Sequence, residues 1–367
     1  MRHSKLNLLI SASLITLSLP AFGNLPSQVS ENLNQLATKL KNWGLVNTGA
    51  KSDIGAVDAW KIEEGNRSIV VAVIDTGIDP KHKSLSGNIW RDPKNKKMDI
   101  YGWNFVLNQP NPVDEHGHGT HVAGIIGALL DPQTGVSGVA HRVSIMPVKY
   151  YSDKNSGAVN LDNTINAINW AIDHGANIIN YSGGGPEFSE KEYLAIARAE
   201  SLGITFIAAA GNENQDTDIK ANSYYPSSYK LSNIISVAAS NRNNDLIPTS
   251  NKGKETVDVA APGDEIYSTL PGGKFGKMSG TSQATAFVSG AVALLLAQDP
   301  SLTPQKIREI LMTSVDRFPQ LYGKVGSGGR INVHKALLML KNKKTDSTQI
   351  LAERPFPFQI SPIRAFE

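Results

Sequence analysis

What most limits this chain's fold is a series of short, almost continuously apolar segments separated by amphipathic helical stretches. The segments at 68–74, 143–148, 177–181, 204–209, 233–238 and 256–260 are rich in Val, Ile and Ala. Strands of that composition are buried on both faces, as in parallel sheets covered by helices. Between and after them, apolar spacing predicts helices over 120–130, 162–174, 189–202, 282–298, 303–313 and 332–340. The alternation predicts an α/β fold, a three-layer sandwich with a mostly parallel central sheet flanked by helices. In such sheets the working side chains gather at the carboxyl ends of the strands.

Composition narrows the function. Of 367 residues, 40% are hydrophobic and 19% charged, as in an ordinary globular protein. A net charge of +3, with no dense Lys/Arg block, leaves no electrostatic footprint for nucleic acid. With no cysteine, disulfides, thiolate catalysis and Cys-ligated zinc are all excluded. Residues 1–23 read as a signal peptide. Arg2, His3 and Lys5 precede a mostly apolar stretch from Leu6 to Leu19, and Ala21-Phe22-Gly23 sets small residues where a signal peptidase cuts. That stretch is too short to span a bilayer comfortably, so the expectation is a secreted protein, extracellular or periplasmic, with no membrane attachment after cleavage. Residues 24–42 are polar and helix-prone, a short N-terminal extension ahead of the α/β region at 43–341. Residues 342–367 form a polar tail expected to pack loosely.

Four segments carry chemistry. VIDTGID at 73–79 ends an apolar run in Asp75, where a buried carboxylate can hold a histidine Nδ1–H. At 116–121, His116, His118 and His121 crowd a glycine-rich loop that enters a helix. Glycines there let a substrate backbone approach closely. Zinc binding is the rival reading of three such histidines, although no HExxH pattern is present. AAAGNE at 208–213 presents Asn212, whose side-chain amide suits an oxyanion. GTSQATAF at 280–287 places Ser282 at a helix start, where a serine is either an N-cap or a nucleophile facing the positive helix end. Each segment alone reads equally well as a cap or a turn.

Together, in the order Asp, His, Asn, Ser, the four segments resemble the signatures of the subtilases, the subtilisin-like serine proteases. The resemblance runs from about Trp43 to Leu340 and includes Gly328-Gly329-Arg330-Ile331-Asn332. It implies a serine endopeptidase with the triad Asp75, His118 and Ser282, Asn212 as oxyanion donor, and protein or peptide substrates. It also implies that Ser182, Gly183 and Gly184 line the substrate strand, with Ser156 and Gly157 on the opposite rim. No cofactor is implied for catalysis. Ser84 stands where many relatives carry a calcium-ligating aspartate, so the strong structural calcium site that the resemblance implies is not expected here, a weaker oxygen-ligand site elsewhere being the alternative. Gln283, Ala286 and Gly183 also depart from the usual residues, and Tyr224 stands near the wall of the primary pocket and narrows it. A long folded pro-domain has no counterpart in residues 24–42. A monomer is the default expectation. The alternative function is a catalytically silent binding protein on the same frame, against which the filled catalytic positions count.

Overall fold

Apolar strands buried on both faces need helices above and below them, and the chain supplies both. The computed structural model describes residue 35 and residues 37–47, 52–95 and 99–352, with side chains to residue 342. Residues 1–23, read as a signal peptide, most of residues 24–42 and the end of the tail lie outside the described residues. The central strands are β1 (Val70–Asp75), β4 (Ser144–Lys149), β5 (Ile178–Tyr181), β6 (Thr205–Ala209), β7 (Ile234–Ser240) and β8 (Val259–Pro262). They pair in parallel in the order β8-β7-β6-β5-β1-β4. Short edge strands extend the sheet: β2 (Trp103–Asn104) and β3 (Gln109–Pro110) beyond β4, β12 (Gly329–Arg330) and β11 (Asp316–Arg317) beyond β8. A separate antiparallel hairpin joins β9 (Ile266–Leu270) and β10 (Lys274–Met278).

The period-two alternation of β1 assigns its side chains to two cores. Val71 and Val73 face the core shared with helices α2 (His118–Gly127), α5 (Thr281–Gln298) and α7 (Val333–Ala352). Ala72 and Ile74 face the other, with α3 (Gly157–Asp173) and α4 (Glu190–Ser201). Two further helices, α1 (Ala56–Trp60) and α6 (Pro304–Thr313), pack on the α7 side. Helices therefore cover both faces, and the fold is the expected three-layer α/β sandwich. Helix α5 is buried along its whole length from Thr281 to Leu296, so its start is held rigidly from all sides. Ala286 is one of its buried residues, and α5 runs without interruption from Thr281 to Gln298.

The ends differ from the sequence reading. Packing is continuous across Asn42: Ala37 is buried, Leu40 lies on the core, and Lys41 N–H donates to the Gly135 carbonyl (2.9 Å). Trp43 is buried and its Nε1–H donates to the Asp264 carbonyl (2.7 Å). At the other end α7 continues past residue 341 to Ala352.

Candidate active site

Strand β1 lies between β4 and β5, and its last residue is Asp75. Helix α2 starts with His118 directly against that strand end. The approach depends on Gly119, where a Cβ would collide with the Gly77 carbonyl oxygen and lie 3.1 Å from Asp75 Oδ1. His118 Nδ1 is 2.7 Å from Asp75 Oδ1, and the carboxylate also accepts from Thr76 N–H (2.7 Å). Burial disfavours the imidazolium, but the charge and hydrogen bond of Asp75, with the charge of Asp114, outweigh it and raise the His118 pKa.

Ser282 is the second residue of α5, and its side chain is mostly buried. The N-cap of this helix is Gly280, which has no side chain of its own to cap it, and Ser282 N–H has no acceptor among the described residues. Its Oγ donates to the Ser182 carbonyl (3.1 Å) and makes no hydrogen bond with His118 in this conformation. Asn212, beyond the end of β6, accepts Thr281 N–H (2.9 Å) and Thr281 Oγ–H (3.2 Å) through Oδ1. That bonding turns its amide Nδ2 into the unused donor. An Asp–His pair, a hydroxyl and two N–H donors without an acceptor thus lie at the carboxyl ends of β1, β5 and β6. This arrangement can accept a proton from a nucleophilic hydroxyl and hold a developing oxyanion.

Comparison with known proteins agrees. The model of the subtilase family matches residues 66–343. The chain belongs to the subtilase family. Thermitase from Thermoactinomyces vulgaris is 36% identical over 284 residues, covering 77% of this subtilase and 93% of thermitase. Subtilisin E from Bacillus subtilis (strain 168) is 39% identical over 272 residues, which cover 73% of this chain and 65% of that protein. Subtilisin-like protease 2 of Plasmodium falciparum is 36% identical over 72% of this chain but only 20% of its own length. The protein is a serine endopeptidase, and nothing favours the silent alternative.

The remaining residues singled out in this subtilase fall as follows. Ser182, Gly183 and Gly184 continue β5 past its last sheet pairing, and Asn180 Nδ2 donates to Ser182 Oγ (3.0 Å). Asn180 Oδ1 in turn accepts from Ser289 of α5 (2.8 Å), so strand and nucleophile helix are tied together. Gly183 leaves room for the Tyr150 hydroxyl, which a Cβ there would strike. Ser156 is the N-cap of α3, its Oγ accepting from Val159 N–H (3.3 Å), and Gly157 faces open space. The three histidines diverge. His116 is exposed with its ring 6.4 Å from that of His118. His121 is buried on the hairpin side, its Nε2 against the Ile266 (2.9 Å) and Gly276 (3.3 Å) carbonyls, and burial presses its pKa down to about 4. Their rings point to different surroundings, which does not fit a shared zinc ligand set. Ser84 is buried, and its carbonyl accepts from Leu129 N–H (2.7 Å). Among the described residues no three His, Asp or Glu side chains converge as a metal site.

Asp114 is the residue that sequence reasoning passed over. It is buried, and its Oδ1 accepts from His116 N–H (2.9 Å), Gly117 N–H (2.8 Å) and Thr76 Oγ–H (2.9 Å). Its Oδ2 accepts from Thr120 N–H (2.9 Å) and Oγ–H (2.6 Å). One carboxylate therefore shapes the loop that delivers His118. The available signal was its place four residues before His118, in a loop where an acid next to Glu115 attracts no notice.

Proposed function

We propose that peptide hydrolysis by this enzyme runs through Ser282 as nucleophile, His118 as general base and acid, and Asp75 as the group that orients His118. The observation that carries this reading is the 2.7 Å His118–Asp75 pair, with Ser282 at the start of a helix that packs against α2. Rotation about χ1 of Ser282 exchanges the Ser182 carbonyl for His118 Nε2, a bond that commonly closes only when substrate is bound. Ser282 Oγ then attacks the scissile carbonyl as its proton passes to His118 Nε2. The oxyanion is held by Asn212 Nδ2 and Ser282 N–H. His118 returns the proton to the departing amine, and water repeats the sequence to release the acyl group.

The substrate lies as an extended strand. The segments that continue β4 and β5 flank β1, so they stand about 10 Å apart, twice the strand spacing. A peptide entering between residues 155–157 and 182–184 pairs with both, mainly through its backbone, which favours a broad range of protein substrates. Acid, base and nucleophile are all side chains, so no metal cofactor is assigned to the reaction. EDTA leaves the initial rate of casein cleavage unchanged; a rate restored only by added metal refutes this. Export is supported by the charged start, apolar stretch and small residues of positions 1–23. No described helix is long and apolar enough to cross a membrane. The enzyme is taken to act as a monomer.

The test is labelling of the secreted protein by a fluorophosphonate probe beside Ser282→Ala. Labelling and casein cleavage both disappear in the variant if Ser282 is the nucleophile. A well-folded wild type that takes no label rejects the assignment.

A further inference from the structure

Beyond Tyr181 and Ala208, the last paired residues of β5 and β6, the two chains part and leave a slot between residues 182–184 and 209–211. One mouth of the slot opens on Ser282, whose Oγ is bonded to the Ser182 carbonyl. Asn212 follows directly on the second wall. A scissile carbonyl placed at Ser282 with its oxygen at Asn212 Nδ2 directs its own residue's side chain into this slot. Gly183, Gly184, Ala209, Ala210 and Gly211 offer nothing larger than a methyl, so the walls by themselves admit a bulky side chain.

The slot is filled from within the protein. Tyr224 lays its ring from one wall to the other. A Cβ on Gly184 would lie 2.5 Å from Tyr224 Cε1 and 3.0 Å from Cζ, and one on Gly211 would lie 3.0 Å from Cδ2. The backbone around this ring is fixed. Tyr225 and Gly185 exchange two hydrogen bonds (2.9 and 2.7 Å), Tyr224 N–H donates to Ser228 Oγ (3.1 Å), and the Tyr224 carbonyl accepts from Ser227 Oγ–H (2.8 Å) and Ser228 N–H (2.8 Å). Beside it, Glu213 is pinned by Asn251 Nδ2 (2.7 Å), which also bonds the Ala210 carbonyl (2.9 Å).

We propose that Tyr224 closes the slot and restricts the residue supplying the scissile carbonyl to a small one, Gly, Ala or Ser. The inference rests on the placement of Ser282 and Asn212 given above. Backbone pairing stays permissive along the cleft while this one position becomes selective.

The experiment compares peptide p-nitroanilides that differ only in that residue, Ala against Phe, on wild type, Tyr224→Gly and Tyr224→Phe. Wild type is expected to favour Ala in kcat/KM by about 10²-fold, a discrimination of the size that steric exclusion achieves. Tyr224→Gly should reverse the ratio, and Tyr224→Phe, which keeps the ring, should preserve it. Fluorophosphonate labelling verifies an intact site in each variant. Mass spectrometry of wild-type casein fragments gives a readout independent of the variants, with new carboxyl termini ending in Gly, Ala or Ser. A wild type that cleaves equally well or better after Phe or Leu overturns the inference alone. Absence of both peptide turnover and labelling overturns the Ser282 assignment and this inference with it.

Discussion

Each catalytic side chain here is held by a partner that has no chemical step of its own. Asn212 is the simplest case, because Thr281 occupies its Oδ1 and so directs the amide Nδ2. Asn212→Leu should lower kcat by about 10²–10³ with little change in KM, the loss known for the oxyanion asparagine of a subtilisin. Steady-state kinetics on one peptide separates the two constants. Asp114 acts at one remove, shaping the loop and adding a negative charge that favours the His118 imidazolium. The base must be neutral to accept the Ser282 proton, so activity rises with pH as His118 loses its own proton. That limb lies above the usual imidazole value of 6.5. Asp114→Asn removes a charge that holds the proton on, so the limb moves to lower pH. A kcat/KM profile whose amplitude falls but whose limb stays in place would limit Asp114 to a structural part. At this scale the proposed roles of Asp75, His118, Asn212 and Ser282 rest on short motifs that surround them in the sequence. Asp114 and the ring position of Tyr224 are not legible there, because their meaning lies in contacts between segments distant along the chain.

At the scale of elements, the sequence was most readable where a strand is covered on both sides. The central strands appear within one to three residues of the apolar runs, since continuous burial dictates continuous apolarity. Strands β2, β3, β11 and β12 are two-residue pairings at the sheet edges and offer no periodic pattern. The β9–β10 hairpin was missed although Pro271-Gly272-Gly273 marks its turn, because Lys274–Met278 is half exposed and mixes charge with apolar residues. Helix α3 starts at Gly157 rather than 162 because Ser156 caps it, a signal present in the sequence and assigned instead to the substrate rim. The junction of β1 and α2 gives a test at this scale. Gly119→Ala inserts a methyl against the Gly77 carbonyl, so α2 must retreat from the strand end that carries Asp75. The cost should be about 1–3 kcal/mol, as for other overpacked sites. The His118–Asp75 distance should lengthen and kcat should fall with it. Thermal unfolding in the Ser282→Ala background avoids self-digestion and measures the first effect. An unchanged melting temperature with unchanged kcat would mean that the junction is looser than its contacts indicate.

Without disulfides, the whole molecule depends on its two cores and on how its buried polar groups are satisfied. Glu192 is the most telling of these. It lies on α4, 3% exposed, with Oε2 accepting from Tyr229 Oη–H (2.9 Å). Burial raises its pKa to about 7, only partly offset by that hydrogen bond. Tyr181 and Tyr224 also lie within its field, and their own pKa values are raised, so all three phenols remain neutral throughout the accessible range. The native state thus holds a proton on Glu192 that the unfolded chain releases near 4.5. Its contribution to stability is fully present below about 4.5 and is lost as pH rises to about 7. The loss is on the order of 3 kcal/mol by linkage. Denaturation of the Ser282→Ala form at pH 5 and pH 8 should show this decrease, and adding Glu192→Gln should remove most of it. Equal pH dependence with and without the substitution would place the titration elsewhere. Tyr229 belongs to the same loop as Tyr224 and Tyr225, and Tyr225 pairs with Gly185 in an antiparallel bridge. The loop that carries Tyr224 is therefore anchored to a carboxylate that resists ionisation, and loosening at high pH should begin there.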